Sequence, residues 1–200
     1  ALALGSALGA TVAGLRRRAL TAVAEAEAAA EAAAVRDQLT GLANRRGVAM
    51  FGPQIVEAAR RQGNAVHCLF VDIDGFKAVN RRLGTEAGDE VLVAVAEALR
   101  SATRATDVVG RWGADEFCVV GPGTGQSPAQ LERRVRDRLL NAPPVDLDVW
   151  NPRVTAGAAT LTPWDAGNLD TLLSKGDQEL YLRRAIRNKQ ANASKATTRD

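Results

Sequence analysis

One apolar run constrains the fold of this chain more than any other feature. Residues 65–71 read AVHCLFV, and the acidic residues Asp72 and Asp74 follow directly. A continuous apolar run of this length predicts a strand that is buried on both faces. Such a strand lies in the middle of a sheet with helices on each side. The chain has 200 residues, which allows one domain of about 150 residues and an additional terminal segment.

The segments around this strand alternate between helical and extended patterns. The predicted helices span 44–61 (bent or restarted at Pro53), 76–83, 85–102, 128–140 and 169–187, and the other predicted strands span 107–111, 117–120 and 154–161. The strands on either side of Trp112 and Gly113 form a hairpin in this interpretation. A hairpin among helix-linked strands indicates an α+β sheet of the split βαβ kind.

The first 36 residues have a different composition. Residues 1–15 are small and apolar and three arginines follow, which is typical of the cytoplasmic end of a transmembrane helix or of an ordinary alanine-rich helix. Residues 11–35 predict a long helix with a coiled-coil seam of mostly alanine, and an isolated exposed helix is the alternative. We expect a signalling helix over 1–36, a folded domain over 37–190 and a disordered tail over 191–200. Because the chain begins with Ala and its only methionine is Met50, we also expect it to be processed or excised.

Charge, cysteine and histidine content exclude several classes of site. The formal net charge is +3 and the basic residues are dispersed, so we predict no nucleic-acid partner. Cys68 and Cys118 lie in apolar runs and predict buried, reduced thiols rather than a disulfide framework. His67 is the only histidine, which excludes a histidine-rich metal site. We interpret it as a strand residue of the core.

Four acidic residues are candidates for a functional site. Asp72 and Asp74 end the predicted central strand, and Asp115 and Glu116 follow the turn of the predicted hairpin. Carboxylates side by side in a buried sheet repel one another unless a cation lies between them. Hard Mg²⁺ with one or two carboxylates and substrate phosphates satisfies that need. From the residue types alone, solvated turn acids remain the alternative.

Four segments, in order, resemble motifs of the GGDEF family of diguanylate cyclases. They are DQLTGLANRR (37–46), VDIDGFKAVN (71–80), GTEAGDEVL (84–92) and RWGADEF (111–117). The resemblance implies a five-stranded mixed sheet with surrounding helices, related to the polymerase palm and to class III nucleotidyl cyclases. A long N-terminal helix precedes this domain in our interpretation.

The resemblance implies condensation of two GTP molecules into cyclic di-GMP with loss of two pyrophosphates. By motif position, Asp72, Asp115 and the carbonyl of Ile73 would hold Mg²⁺ or Mn²⁺, and Asp115 and Glu116 would be the catalytic carboxylates. Each domain of the family holds one GTP, so the resemblance also implies a catalytic homodimer.

The implied substrate contacts divide between the base and the phosphates. Asn80 and Asp89 would read the guanine edge, whose paired donors adenine does not present. The implied contacts to the phosphates come from Lys77, Arg184, the amides around Gly75 and Phe76, and the turn at Gly113 and Ala114. The late arginine of the family motif aligns with Asn188 or, with a one-residue gap, with Arg187.

Arg104 and Asp107 resemble the family's RxxD inhibitory site, where cyclic di-GMP binds back, and a surface ion pair is the alternative. Ala114 replaces the second glycine of the signature, where a Cβ can crowd the nucleotide or disfavour a positive φ. The alternative function is therefore a catalytically impaired domain that acts as a cyclic di-GMP receptor or a GTP-binding regulatory module. We expect a cytoplasmic domain, with a tether to the inner face of the membrane through residues 1–15 as an open alternative.

Overall fold

The computed structural model describes residues 21–23, 30 and 33–197. Its elements in chain order are α1 (Arg45–Arg61), β1 (Val66–Ile73), α2 (Phe76–Leu83), α3 (Thr85–Ala102), β2 (Val108–Arg111), β3 (Glu116–Pro122), α4 (Pro128–Asn141), β4 (Val154–Leu161) and α5 (Leu169–Thr197). The predicted α+β class is confirmed.

The four strands of the sheet follow the order β2-β3-β1-β4, and every neighbouring pair is antiparallel. The predicted fifth strand and the predicted mixed sheet are wrong for the described residues. The nearest equivalent is an isolated parallel bridge between Ala43 and Gly110. It involves one residue pair because the segment that carries Ala43 turns back on itself and also bridges Arg36.

Strand β1 is central, and all eight of its residues are buried. Its side chains alternate between two hydrophobic layers. Leu69 and Val71 face the layer of α2, α3 and α4, while Cys68 and Phe70 face the layer of α1 and α5. Burial on both faces explains why the run contains almost no polar residue.

The first and last helices differ most from the predictions. Helix α1 runs without a restart through Pro53, and Asn44 caps it by accepting a 2.9 Å hydrogen bond from the Gly47 N–H. Helix α5 continues to Thr197 rather than ending at Arg187. Residues 191–197 contain no proline or glycine, so nothing in the sequence breaks the helix where we predicted a disordered tail.

Little of the N-terminal segment lies within the described residues. Residues 21–23, 30, 33 and 34 are helical, whereas residues 1–15 and most of the predicted coiled-coil seam fall outside the described ranges. Within the described part of the chain, none of the helices is both long enough and apolar enough to span a membrane.

The predictions for the cysteines and the histidine are confirmed. Cys68 and Cys118 are free and buried, and burial raises the pKa of the Cys68 thiol to about 12. His67 is buried in β1 with its Nδ1 3.3 Å from the Gly123 carbonyl oxygen. Burial lowers the pKa of His67, which favours the neutral ring.

Candidate functional site

The register of the sheet places carboxylates directly beside each other. Asp72 on β1 lies opposite Glu116 on β3 and opposite Thr155 on β4. The Asp115 carbonyl accepts a 3.2 Å hydrogen bond from the Ile73 N–H, which holds the hairpin turn against the end of β1. Side chains directly opposite in antiparallel strands lie about 4.5–5.5 Å apart at Cβ, so Asp72 and Glu116 are neighbouring like charges.

Asp72 is the most deeply buried of these acids, with 4% of its surface exposed. Burial raises the pKa of its carboxyl to about 7. The Arg184 guanidinium works in the opposite direction, while the carboxylates of Asp115 and Glu116 raise the pKa further. Burial and the neighbouring carboxylates therefore oppose ionisation of Asp72 more than Arg184 favours it.

Arg184 of α5 supplies part of the opposing charge. Its Nη1 lies 3.1 Å from Asp72 Oδ2 and 3.2 Å from Glu116 Oε1. The contact to Glu116 has hydrogen-bond geometry. The contact to Asp72 does not, so the buried Oδ2 of Asp72 accepts no hydrogen bond. A buried oxygen of this kind is a ready ligand for a cation.

Asp74 is held from two sides. Its Oδ1 accepts a 2.7 Å hydrogen bond from the Thr155 hydroxyl, and its Oδ2 accepts one from Nη1 of Arg187. The Asp74 carbonyl accepts a 2.9 Å hydrogen bond from the indole N–H of Trp150. These contacts fix the turn between β1 and α2.

Gly75, directly before α2, adopts a left-handed conformation with φ of 80°, which a side chain would strain. No side chain caps the helix, and Phe76 and Lys77 of its first turn, whose amides have no partner within the helix, line the site. Lys77, Asp72 and Asp115 line one open cavity of about 390 Å³ with Arg184 and Arg187. The cavity thus combines acidic groups with phosphate-binding groups.

The residues fit a divalent cation that completes its shell with substrate. Oδ2 of Asp72 accepts no hydrogen bond, and its carboxylate lies near those of Asp115 and Glu116, so these oxygens are available as ligands. In the described residues, no three acidic, histidine or cysteine side chains converge closely enough to hold a metal by themselves. Mg²⁺ commonly uses one or two carboxylates and takes its remaining ligands from phosphates and water.

The signature turn is held by Arg111 rather than by glycine conformations. Its guanidinium donates to the carbonyls of Gly113 (3.2 Å) and Ala114 (2.8 Å) and pairs with Asp37 at 3.3 Å. No residue other than glycine has a positive φ in the described part of the chain, so Ala114 sits in ordinary backbone. The backbone strain that we expected from this substitution is absent.

Asn80 and Asp89 lie away from the carboxylate cavity, at the junction of α2 and α3. A Cβ on Gly88 would stand 1.9 Å from Asn80 Oδ1, so the amide packs directly on this glycine. Oδ1 of Asn80 is buried and accepts no hydrogen bond, and Asp89 is exposed beside it. The junction offers an unused acceptor and a free carboxylate.

Arg104 and Asp107 lie at the opposite end of the sheet. Asp107 does not pair with the Arg104 guanidinium; its Oδ2 accepts a 2.9 Å hydrogen bond from the Arg104 backbone N–H, and its Oδ1 is buried without a partner. Both residues line a cavity of about 630 Å³ together with Arg36 and Arg100. The surface ion pair that was the alternative to a ligand site is therefore not formed.

Sequence reasoning missed several residues that line the carboxylate cavity or support the elements around it. We assigned no role to Arg111, Asp37 or Thr155, and left the role of Arg187 open between two alignments. Glu132 of α4 was also missed: its Oε1 accepts a 2.8 Å hydrogen bond from the Ala156 N–H, and its Oε2 lies 3.4 Å from Nη2 of Arg187. One sequence signal was available for the basic side of the cavity: Arg184 and Arg187 are three residues apart, which puts both on one face of a helix.

A profile of the diguanylate cyclase GGDEF domain matches residues 34–190. The chain belongs to the GGDEF domain family. The match begins just before the motif at residue 37 and ends where we placed the end of the domain, and the predicted family is confirmed.

Two curated proteins illustrate the range of relatives. The chain is 34% identical over 156 residues to the response regulator PleD of Caulobacter vibrioides, which covers 76% of this chain and 34% of PleD. It is 34% identical over 151 residues to the cyclic di-GMP phosphodiesterase NbdA of Pseudomonas aeruginosa, which covers 74% of this chain and 19% of NbdA. The chain thus spans only a minor part of these relatives.

The fold agrees with solved structures of the family. The diguanylate cyclase SiaD of Pseudomonas aeruginosa, solved in complex with its activator SiaC, superposes with a TM-score of 0.63 at 30% identity. The superposition covers 88% of this chain and 68% of the SiaD chain.

Proposed function

We propose that this domain is a diguanylate cyclase that condenses two GTP molecules into cyclic di-GMP and releases two pyrophosphates. The observation that carries the proposal is that the buried Asp72 lies opposite Glu116 in the sheet register and shares one cavity with Asp115, Lys77 and Arg184. Few tasks other than binding a cation with phosphates explain neighbouring carboxylates at this edge of a sheet.

Asp72, Asp115 and the carbonyl of Ile73 are the residues that would hold Mg²⁺ or Mn²⁺, and Glu116 adds negative charge beside them. The metal, when bound, neutralises triphosphate charge and makes the α-phosphorus more electrophilic. In each of the two condensations, the 3′-oxygen of one GTP forms a bond to the α-phosphorus of the other, and the bond to pyrophosphate breaks.

The protein's own cations orient the phosphates. Lys77 and the uncapped amides of Phe76 and Lys77 support binding of the terminal phosphates at the N-terminus of α2. Arg184 already faces Asp72 and Glu116 and can transfer part of its pairing to a phosphate. Arg187 fulfils the role of the late family arginine in this proposal, because it lines the cavity beside Asn188.

Asn80 and Asp89 select guanine in this proposal. The N1–H and exocyclic amine of guanine form a pair of donors. Asn80 Oδ1, which is buried against Gly88 and accepts no hydrogen bond, and the exposed Asp89 carboxylate would be the acceptors. Adenine lacks this pair, so a site that leaves both acceptors unpaired with ATP discriminates strongly.

Catalysis requires two domains that face each other, because one cavity holds one GTP. We propose a homodimer brought together by the predicted signalling helix of residues 1–36. A cytoplasmic location, with or without a membrane tether through residues 1–15, belongs to the same proposal.

We also propose product feedback at Arg104 and Asp107. The cavity beside them contains the guanidinium groups of Arg36, Arg100 and Arg104, which suit the phosphates and guanine edges of cyclic di-GMP. The separation of this cavity from the carboxylates also supports a second candidate, a receptor domain that binds cyclic di-GMP without turnover. The relative NbdA, named a phosphodiesterase, illustrates that family membership alone does not fix the activity.

The test is to incubate the protein with GTP and Mg²⁺ and to identify the products by mass spectrometry. We expect cyclic di-GMP from the parent and from Asp148→Ala, an exposed control, but none from Asp72→Ala. Product from Asp72→Ala, or no product from a parent that light scattering finds dimeric, would overturn the proposal. Binding of cyclic di-GMP by an inactive parent would establish the receptor instead.

A further inference from the structure

A separate cavity of about 480 Å³ lies beside the carboxylate cavity, between α4 and the start of β4. We call it the arginine cavity. Its charged lining residues are Glu132, Arg133, Arg136, Asp137, Arg153 and Arg187. Arg153 and Arg187 also line the carboxylate cavity, so the two cavities share a wall.

Glu132 does not neutralise this cavity, because its carboxylate is already engaged. One oxygen accepts the Ala156 N–H at 2.8 Å, and the other lies 3.4 Å from Arg187. Arg183 lies 3.7 Å from the first oxygen. The charges of the cavity that remain are three positive ones, from Arg133, Arg136 and Arg153, and the negative one of the exposed Asp137.

The guanidinium groups of Arg133, Arg136 and Arg153 have no hydrogen bond or ion pair to any other described residue. Arg133 and Arg136 are three residues apart on α4 and therefore share a face of the helix. Arg153 reaches the same cavity from the loop before β4. Three like charges from two elements repel one another, and a multivalent anion removes that repulsion.

We propose that the arginine cavity binds inorganic pyrophosphate. This inference rests on the proposed function, which releases pyrophosphate on the other side of Arg153 and Arg187. A diphosphate carries several negative charges on a compact group, and planar guanidinium forks bind such oxygens in pairs. The cavity therefore receives the leaving group after it separates from the new phosphodiester.

Isothermal titration of the full chain with sodium pyrophosphate, in EDTA and without GTP, tests the site independently of turnover. The test variant is Arg133→Gln/Arg136→Gln, and the matched control is Arg46→Gln/Arg138→Gln, which removes two exposed arginines elsewhere. We expect the test variant to weaken binding by about tenfold or more. The control should remain within about twofold of the parent. Equal weakening in both variants would overturn the proposal, since it would indicate general charge attraction.

Amide chemical shifts locate the bound ion. We expect pyrophosphate to shift signals from residues 129–137 and 153–154, and shifts confined to 72–77 and 115 would overturn the site. GTP binding that depends on Arg133 and Arg136 as strongly as pyrophosphate binding would overturn the assignment to the released product. The assignment would also be overturned if pyrophosphate did not bind and the protein sedimented with phosphatidylglycerol vesicles only when Arg133 and Arg136 were present.

The outcomes separate this inference from the proposed function. Pyrophosphate binding at the arginine cavity in a protein that makes no cyclic di-GMP would leave the site intact and remove its enzymatic context. Cyclic di-GMP synthesis with unchanged pyrophosphate binding in Arg133→Gln/Arg136→Gln would leave the enzyme intact and overturn the site.

Discussion

The two ends of β1 hold acidic groups in opposite ways. At the end near Ile73, Asp72 lies among other carboxylates and arginines of α5, in an open cavity. At the end near Val66, Asp107 is a single carboxylate that caps the Arg104 backbone and packs on Gly121 beside His67. The eight residues of β1 span about 23 Å, so the two groups do not interact directly.

The difference separates a site prepared for ligands from a structural cap. Burial and neighbouring carboxylates oppose ionisation of Asp72 more than Arg184 favours it, so its ionised form is destabilising until a cation binds. Asp107 uses one oxygen to order its own loop and exposes the side chain of Arg104 instead. The first arrangement favours chemistry, and the second favours recognition of a preformed ligand.

Asp72→Asn should have the largest effect, and it should act at the Ile73 end of β1. We expect cyclic di-GMP synthesis to fall by on the order of 10³-fold, because a ligand of the catalytic cation is lost. At pH 8 without metal, the same change should stabilise the fold by about 1–2 kcal/mol, since it removes a buried charge. Product chromatography and urea unfolding measure the two effects. A variant that loses both activity and stability would contradict this interpretation of Asp72.

Arg104→Ala should act only at the other end of the sheet. We expect the concentration of cyclic di-GMP that halves the rate to rise about tenfold or more, because a guanidinium contact is lost. The initial rate should stay within about twofold of the parent. Rate measurements with added product test this, and Arg138→Ala serves as a control. Unchanged inhibition would remove Arg104 from the feedback site.

Ala114→Gly should have a small effect. Because Ala114 adopts ordinary backbone and is exposed, a glycine relieves no strain. We expect the kcat to change by no more than about twofold, measured at saturating GTP. An increase of about tenfold would mean that the Cβ crowds the nucleotide, and the impaired-domain alternative would then gain support.

The smallest expected effect concerns His67. Burial holds its pKa below the ordinary value, and Asp107 only partly offsets this. Below about pH 6.5 the unfolded chain binds a proton that the folded ring resists, so the free energy of unfolding falls as the pH drops. Melting temperatures between pH 7.5 and 5.5 should decline less in His67→Gln than in the parent. Identical slopes would assign the decline to other groups.

The sequence allowed prediction of the elements that repeat local patterns. The run at 65–71, the hairpin around Gly113 and the amphipathic helices all carry their signal within a few turns or strands. The carboxylates were found because they end these elements. The fifth strand was wrong because it came from the family resemblance, whereas the local patterns indicated the four strands that form the sheet. Residues 36 and 43 form only isolated bridges.

The contacts that complete the site are long-range, and the sequence did not predict them. Glu132 reaches Ala156 and Arg187 from a different helix, and Arg111 reaches Asp37 across 74 positions of the chain. The sequence left open whether Arg187 or Asn188 stands at the late arginine of the family motif, because that depends on how α5 is rotated against β4. Such choices depend on how whole elements pack, which a single sequence specifies only through the finished core.

The contacts of Asp37 and Asn44 bear on the design of chimeric sensors. Asn44 donates to the carbonyls of Ala34 (2.9 Å) and Arg36 (3.1 Å), and Asp37 holds the arginine that clamps the signature turn. A foreign input helix joined before residue 34 keeps all of these bonds. A junction at Thr40 removes them and leaves the hairpin of β2 and β3 without this support. The useful fusion point therefore lies before residue 34.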